Sequence, residues 1–383
     1  MPENRLNAAA EPARTQIQAR AVAALQGLFV GDSLAMPAHW FYRRWDIEQA
    51  FPGGIRGLEA PPENHPSSIM ALHSTRQGGR GRQTGAASAK REIVGDVILK
   101  GKRQFWGQTN MHYHQGMRAG DSTLNAHCAR VLMRGLAGTA GHYQRDLFLD
   151  DYVAFMTAEP AEHPDTYAES YHRAFFANLE AGKAPQACAG VTHDTPSIGG
   201  LVTIAPLVIA ELLAGTSLAE VQTLALQHLY LTHPDAALAQ VCTDYVALIA
   251  SLLLRVDESP LALTELASRV LGVDVDKLVQ KVGDDGEIIG GHYSSACYID
   301  GAWPGVLYLA SKYRTEPAAG LLANANLGGD NAHRGAVLGV IYGLLNDAAS
   351  NKWFGQLRDA AALQQEIDGL VAAGKQSLSS SAT

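Results

Sequence analysis

Apolar residues recur every three or four positions along most of the chain, the spacing that places them on one face of an α-helix. The pattern is strongest at 235–255, where Asp235 stands near the start and its carboxylate suits the helix dipole. Alternating patterns typical of strands are nearly absent. Helices are predicted at 16–30, 123–136, 200–214, 217–230, 235–255, 259–272, 275–283, 301–312, 333–347 and 355–373. The sequence therefore predicts an all-α fold forming one compact domain over residues 1–383.

One segment, at about 52–106, breaks the helical pattern because it is rich in Gly, Pro, Ser and Arg. Glycine and proline at this density do not build helices. A long insertion of this kind is either a surface loop or a lid over a site, and both readings stay open. The tail at about 375–383 is low in apolar residues, so we expect it to fray.

Composition narrows the classes of partner. With 383 residues, 47% of them hydrophobic, the chain can build a large core. Its net charge of −8 argues against nucleic-acid binding and favours a small-molecule substrate. We find no apolar run of 18 residues and no apolar signal core, so we expect no membrane contact and a cytoplasmic location. Four widely spaced cysteines suggest neither a zinc motif nor a disulfide framework: Cys128, Cys188, Cys242 and Cys297.

Three Gly-Asp elements are predicted to be turns beside helices: GDS at 31–33, GDST at 120–123 and GGDN at 328–331. Helix N-termini that converge on one cleft supply amide donors and carboxylates, which suits a phosphate-bearing ligand with a divalent cation. We therefore expect GDSLAMPAHW at 31–40 to form the lip of a ligand cleft, with Asp32 in the turn and His39 facing the pocket.

These elements, with their neighbours, resemble motifs of the ADP-ribosylglycohydrolase family, which includes the J1 crystallins. The strongest stretch, ANANLGGDNAHRGAVLGVIYGLL at 323–345, is similar to the family's N-x-G-G-D-T-D-T element and the glycine-spaced helix after it. Five further stretches follow family motifs in the same order: GLFVGDSLAMP at 27–37, GDSTLNAHCARVL at 120–132, TIAPLVIA at 203–210, LTHPDAALAQVCTDYVALI at 231–249 and YIDGAWPGVLYLA at 298–310. The resemblance implies a compact orthogonal bundle of α-helices.

The sequence departs from the family motifs at the positions where the metal-binding and catalytic residues are expected. Family hydrolases hold two magnesium ions with the elements T-D-D and D-T-D-T. The matching residues here are Gly120, Asp121 and Ser122, then Asp330, Asn331, Ala332 and His333. Two carboxylates remain where about four are expected, which leaves magnesium possible but with most ligands lost. His39 stands where many members have a glutamate.

Histidines gather at these changed positions, and two interpretations stay open. In the first, which we favour, His39, His333, Asp121 and Asp330 perform metal-free acid–base chemistry, since imidazole titrates near neutral pH. In the second, a transition metal binds Asp121, Asp330 and His333, because imidazole suits such metals better than magnesium. His112 and His114 of the HYH element could join this group, and His127 lies one turn into the second matched helix.

The candidate catalytic residues are therefore Asp121, Asp330, His333 and His39. Candidate substrate-binding residues are Asp32, Trp40, His112, Tyr113, His114, Ser122, Thr123, Asn331, Trp303 and Asp300. Aromatic rings among them would stack on a base or a sugar ring.

Three functions remain open. The favoured one is a divergent hydrolase that acts on a small N-glycosidic, nucleotide-sugar-like substrate without the two-magnesium centre. The second is a non-catalytic ligand-binding or crystallin-like structural protein. The third is a magnesium-dependent ADP-ribosyl hydrolase that recruits ligands such as Asp284, Asp285 or Asp300. The sequence leaves the substrate open, and also whether the chain forms a homo-oligomer.

Overall fold

The fold is all-α, as predicted. The computed structural model describes residues 11–78, 89–255, 259–346 and 352–380, and within them backbone pairing is limited to isolated bridges. Fourteen α-helices follow one another in these ranges: α1 Glu11–Ala35, α2 Arg44–Ala50, α3 Leu124–Gly138, α4 Arg145–Thr157, α5 Ser170–Glu180, α6 Ile204–Leu213, α7 Leu218–Leu229, α8 Ala236–Leu254, α9 Ser259–Leu271, α10 Val275–Lys281, α11 Ile299–Lys312, α12 Pro317–Leu327, α13 Asn331–Asn346 and α14 Ala360–Ser380.

Four of these helices, α2, α4, α5 and α12, are absent from the prediction. Their local signals are weak: α2 has only seven residues, and α12 carries an internal glycine and two asparagines. Helix propensity is a weak prior that tertiary packing overrides. Helix α12 nevertheless shows one start signal, the proline at its first position.

Helices α1 and α13 pack at the centre of the molecule with their backbones in contact. A Cβ atom added to Gly27 would lie 2.2 Å from the carbonyl oxygen of Gly339, and one added to Gly31 would lie 2.0 Å from that of Gly335. Only glycine permits such an approach. Residues 31–33 therefore lie inside α1, so the predicted turn at GDS is wrong: Gly31 serves close packing, and Asp32 stands on a helix.

The other two Gly-Asp elements are turns, as predicted. Residues 120–123 form the loop before α3, and Gly120 has a φ of 81°. In the turn before α13, Gly328 and Gly329 have φ values of 64° and 63°. A Cβ atom on Gly329 would lie 1.9 Å from the carbonyl oxygen of Ser295, so this turn requires glycine and fixes Asp330 at the start of α13.

The predicted insertion at 52–106 is irregular, and its described part packs into the core. Short helical turns such as Met70–Leu72 interrupt it, and the side chains of Met70, Ile93 and Leu99 are fully buried. Residues 79–88 of this insertion lie outside the described residues. Helix α14 extends through Ser380, inside the predicted frayed tail, and residues 381–383 lie outside the described residues.

Two helical segments are long and apolar enough to cross a membrane by length and composition alone, Arg14–Ala38 and Ala236–Leu254. In the folded chain, 89% and 50% of their most apolar windows are buried, and core helices of soluble proteins pass the same test. The first of these segments includes most of α1, which packs against α13.

Candidate functional site

The site forms where the end of α1 meets the start of α13. His39 follows the helical turn after α1, Asp330 precedes α13, and His333 lies in the first turn of α13. Both imidazoles pair with one carboxylate: His39 Nε2 is 2.9 Å from Asp330 Oδ1, and His333 Nδ1 is 2.9 Å from the same oxygen and 3.1 Å from Oδ2. All three side chains are buried. The structure thus brings together three of the four predicted catalytic residues.

A second branch leads from His39 to the start of α3. His39 Nδ1 is 2.8 Å from His114 Nε2, and His114 Nδ1 is 2.8 Å from Asp165 Oδ1. The other oxygen of Asp165 accepts the backbone N–H of Leu124 at 2.7 Å. Predicted residue His114 therefore belongs to the site, whereas Asp165 was not predicted.

Counting donors limits the protons in this branch. Its three hydrogen bonds, between Asp330 and His39, His39 and His114, and His114 and Asp165, each need one N–H group from the two rings. Two neutral imidazoles supply only two N–H groups, so these contacts need one further proton shared by the pair.

His333 is the centre of a third set of contacts. Its Nε2 lies 3.3 Å from Glu169 Oε1 and 2.6 Å from the amide nitrogen of Asn125. When Nε2 of His333 carries no proton, it accepts a hydrogen bond from that amide nitrogen. When His333 is an imidazolium, Nε2 is a donor and needs the amide oxygen of Asn125 instead, which a 180° rotation of the amide group would place there. The two orientations of Asn125 therefore correspond to the two protonation states of His333. Glu169 Oε2 is buried and has no hydrogen-bond partner among the described residues.

We call Asp330, His39, His114, Asp165, His333 and Glu169 the buried network. Burial lowers the pKa of His39 to about 3, although Asp330 opposes this shift. Burial alone would also lower the pKa of His333, but the charges and hydrogen bonds of Asp330 and Glu169 raise it well above its usual value. Opposite shifts in two neighbouring imidazoles favour one neutral ring and one charged ring, the arrangement of an acid–base pair.

The two aspartates of the buried network, Asp330 and Asp165, stay ionised. Burial would raise the pKa of Asp330, yet His333 and His39 hold it well below its usual range. Burial would likewise raise the pKa of Asp165, but the charge and hydrogen bond of His114 lower it to about 2. The network therefore carries its charges in pairs, as buried charges must.

Asp32 and Thr123 meet beside the network. Asp32 accepts the backbone N–H of Thr123 at 2.8 Å and its hydroxyl at 2.6 Å, at the N-terminus of α3. Burial raises the pKa of Asp32 to about 6 despite these hydrogen bonds. Ser122 Oγ lies 3.2 Å from Ser33 Oγ, so this loop joins α1 to α3.

Trp40, Tyr113 and His112 pack around the network. The Trp40 ring stacks on His39 with centroids 3.7 Å apart, and Tyr113 meets Trp40 edge-on at 4.6 Å. His112 Nε2 donates to the carbonyl of Pro37 at 3.0 Å, and its Nδ1 accepts the backbone N–H of His114 at 3.0 Å. In this conformation the three side chains hold His39 and His114 in place.

Asp121, the fourth predicted catalytic residue, lies outside this group. Its Oδ2 accepts the backbone N–H of Arg118 at 2.7 Å, and it lines a recess of about 360 Å³. The structure therefore does not bring Asp121 together with Asp330. Ser122 and His127 border the same recess.

The remaining predicted residues have structural contacts of their own. Trp303 is buried against Tyr245, with ring centroids 5.8 Å apart, and Asp300 is exposed at the start of α11. Asn331 donates to the carbonyl of Ala325. The candidate replacement ligands Asp284 and Asp285 pair with Arg44 and Lys312, each at 2.6 Å.

The stretch GDSLAMPAHW is buried along its whole length. It does not form the lip of an open cleft, and that expectation is wrong. The reason is packing: α1 continues through the Gly-Asp element against α13, and Trp40 covers His39.

A two-magnesium centre does not fit these residues. Magnesium requires oxygen ligands in octahedral geometry, but both oxygens of Asp330 face imidazoles, Ala332 has no donor and Asp121 faces the recess. A transition metal fits better, because His39, Asp330 and His333 offer three ligand atoms within 4.8 Å of one another. This trio replaces the predicted set of Asp121, Asp330 and His333.

Sequence reasoning missed Asp165, Glu169 and Asn125. A signal exists for the first two: they stand four residues apart in DTYAE, directly before α5. Their partners lie 51 and 164 positions away in the sequence, and only tertiary packing brings them together.

Comparisons with known proteins agree with this fold. One solved structure, titled "ADP-ribosylglycohydrolase-related protein complex", superposes with a TM-score of 0.55 at 16% identity, covering 94% of this chain and 99% of that chain. A search of curated protein sequences gave no match. The sequence pattern of the ADP-ribosylglycohydrolase family matches residues 13–379. The chain therefore belongs to the ADP-ribosylglycohydrolase family.

Proposed function

We propose that the protein hydrolyses an N-glycosidic bond in a small, nucleotide-sugar-like substrate, with acid–base chemistry in place of a two-magnesium centre. The observation that carries the proposal is the position of His333 between Asp330 and Glu169. Glu169 Oε2 accepts no hydrogen bond among the described residues, and its ion-pair partner, His172 Nε2, lies 3.8 Å away. Family membership supports the reaction class.

In this reaction, the His333 imidazolium donates a proton to the departing nitrogen as the C–N bond breaks. Glu169 accepts a proton from the water whose oxygen forms the new bond to the sugar carbon. The positive charge that develops on the sugar is stabilised by the two carboxylates, an electrostatic effect that is strongest where water is excluded. General acid–base catalysis of this kind contributes roughly 10²–10⁴-fold in rate.

His39 and Asp330 act by positioning His333. Asp330 holds the His333 ring by two contacts at 2.9 and 3.1 Å and favours its charged form. His39 in turn fixes Asp330 and connects it to Asp165 through His114. Because these groups are buried, Trp40 or a neighbouring side chain must move before a substrate can reach them.

The test is turnover on a panel of ADP-ribosylated amino acids and nucleosides in excess EDTA. We expect His333→Gln and Glu169→Gln each to lower kcat at least about 10²-fold. His228→Gln is a matched control, because His228 is also buried but contacts Tyr143 and Thr203 instead. Unchanged kcat in both network variants would refute the proposal.

The same panel decides between the alternatives. Activity that EDTA abolishes and magnesium restores would indicate the two-magnesium mechanism. A well-folded protein that turns over nothing would indicate a binding or structural protein, which the complete burial of the network favours.

A second candidate is a transition-metal enzyme, favoured by the three ligand atoms within 4.8 Å. Metal analysis of the purified protein tests it directly. One equivalent of metal in the wild type, lost in His39→Gln and kept in His228→Gln, would support this candidate against the metal-free one.

A further inference from the structure

A side-chain amide connects the buried network to a second histidine, which the proposed reaction does not use. The amide nitrogen of Asn125, in the first turn of α3, lies 2.6 Å from Nε2 of His333. The amide oxygen of Asn125 lies 3.0 Å from Nε2 of His172, in α5. All three side chains are buried. The two imidazoles therefore meet opposite ends of one amide group.

Two tyrosines contact this arrangement without imposing a direction on its hydrogen bonds. The hydroxyl of Tyr152 lies 2.6 Å from Nδ1 of His172, and that of Tyr171 lies 2.7 Å from the amide nitrogen of Asn125. Burial raises the pKa of Tyr152 and of Tyr171 well above the usual value, so both stay protonated. A hydroxyl either donates or accepts. Neither tyrosine therefore decides which nitrogen of His172 carries the proton.

His172 has two neutral forms that differ in what they offer Asn125. Burial lowers the pKa of His172 well below its usual value, and the neighbouring charges of His233 and His333 lower it further. A neutral imidazole carries one N–H group, on Nδ1 or on Nε2. With the proton on Nε2, His172 donates to an amide oxygen. With the proton on Nδ1, it accepts from an amide nitrogen.

Asn125 cannot serve both imidazoles in the same way. The oxygen of an amide group only accepts hydrogen bonds, and its nitrogen only donates them. In either orientation of the amide, one ring faces the oxygen and donates from Nε2, while the other ring faces the nitrogen and accepts. This conclusion is independent of which end of the amide is assigned as oxygen.

Glu169 faces both rings as well, but from a greater distance. Its Oε1 lies 3.3 Å from Nε2 of His333, and its Oε2 lies 3.8 Å from Nε2 of His172. A carboxylate favours a proton on both nitrogens. Hydrogen bonds from N–H groups are usually about 2.7–3.2 Å long, a length that the Glu169 contacts exceed and the Asn125 contacts do not. The amide therefore decides the arrangement of protons.

We propose that His172 is a positioning residue for His333: through Asn125, the Nε2 atoms of the two rings hold one proton between them. The tautomer of His172 then fixes whether Nε2 of His333 is a donor or an acceptor. The inference rests on the proposed function only in naming the ring that holds this proton. An imidazolium acid requires the proton on His333, and therefore the tautomer of His172 that donates from Nδ1 to Tyr152.

The experiment is nitrogen-15 NMR of the full chain, labelled at histidine and measured at neutral pH, because protonated and bare ring nitrogens have distinct chemical shifts. His172→Gln and His333→Gln assign the signals by their loss. We expect one of the two Nε2 atoms to be protonated and the other to be bare. The buried His228, which contacts Tyr143 and Thr203, is the internal reference. Two protonated or two bare Nε2 atoms would overturn the inference.

A variant of the amide tests its role directly. Asn125→Asp keeps the shape of the side chain but offers two acceptor oxygens, so we expect both Nε2 atoms to be protonated. Asn324→Asp is the matched control, because Asn324 is also buried but its amide contacts Arg334 and Asn331. It should leave Nε2 of His172 as in the wild type. An unchanged pattern in Asn125→Asp contradicts the inference, and if that variant does not fold, the wild-type spectrum still decides.

The same spectra separate this inference from the proposed function. A proton on Nε2 of His172 and a bare Nε2 on His333 would support the inference and count against the imidazolium acid. A proton on Nε2 of His333, in a protein that turns over no panel substrate, would support the inference while the proposed function fails.

Discussion

The buried network and the recess are neighbours with opposite properties. In the network, Asp330 has both oxygens paired with imidazoles and is fully buried. In the recess, Asp121 lines an open volume of about 360 Å³ and accepts a hydrogen bond from the backbone N–H of Arg118. The family resemblance implies that these two carboxylates belong to one metal centre. In this structure, Asp330 and Asp121 lie in different environments.

The difference shows what a residue that matches a family motif does not guarantee. A carboxylate keeps its place in the motif, but the cations around it decide what it can bind. Beside Asp330, histidines occupy positions 39 and 333, and an imidazolium supplies the positive charge that a buried carboxylate needs. The cation paired with Asp121 in the described part of the chain is the more exposed Arg118.

The largest effect on the free energy of unfolding should come from removing the carboxylate of Asp330. Asp330→Ala leaves two buried imidazoles without their shared partner, and we expect a loss of about 3–5 kcal/mol in the free energy of unfolding. Urea denaturation at pH 7 measures it. A loss below about 1 kcal/mol would mean that the network is not a stabilising charge pair.

The second-largest effect on the free energy of unfolding should come from widening the contact between α1 and α13. In Gly339→Ala the new Cβ would lie 2.0 Å from the carbonyl oxygen of Gly27, so the helices must separate. We expect a loss of about 2–3 kcal/mol in urea denaturation. Gly138→Ala, in α3 with no atom within 4 Å of the new Cβ, is the control and should stabilise by up to about 1 kcal/mol. Equal effects would contradict the close-packing account.

A smaller effect should appear in the pH dependence of the free energy of unfolding. It should come from His163, which lines the recess. The pKa of His163 is about 4 in the folded chain and near its ordinary 6.5 in the unfolded chain. Below pH 6.5 the unfolded chain therefore binds a proton that the folded chain does not, and stability falls as the pH drops towards 4. His163→Gln should reduce this slope by about 1 kcal/mol per pH unit.

Urea midpoints at pH 6 and pH 5 measure the slope for both proteins. The exposed His292→Gln serves as the control. A wild-type slope that survives unchanged in His163→Gln would show that this imidazole titrates normally and that its burial is not maintained in solution.

The smallest effect should follow from Asp121→Ala. Its partner Arg118 has a side chain 63% exposed, and such pairs contribute about 0–1 kcal/mol. Thermal unfolding of Asp121→Ala and Asp330→Ala, measured in parallel, gives the difference in stability between the two variants. A loss as large as that of Asp330→Ala would erase the distinction between the two regions.

Sequence reasoning reached the family, the all-α fold and the grouping of Asp330, His333 and His39. It succeeded where short motifs carry the information, as in the glycines that fix the turn before α13. It also identified His114 as a site residue, although its role as a bridge to Asp165 needed the structure.

It failed where distant segments decide the outcome. In the sequence, Gly31 is followed by an aspartate, as the turn glycines Gly120 and Gly329 are. Only the close approach of α13 shows that Gly31 lies within a helix. Asp121 was grouped with Asp330 by motif, whereas its orientation depends on the loop of Arg118 and on residues near α14. Glu169 and Asn125 carry no local signal of their contact with His333.

The glycine contact between α1 and α13 also has a consequence for synthesis of the chain. Gly27 and Gly339 are 312 positions apart, so α1 leaves the ribosome long before its partner exists. At about 5–20 residues per second, the delay is roughly 15–60 s. Through that interval an apolar segment as long as a membrane span lacks its native cover. We therefore expect chaperones to bind nascent α1 until α13 has been synthesised.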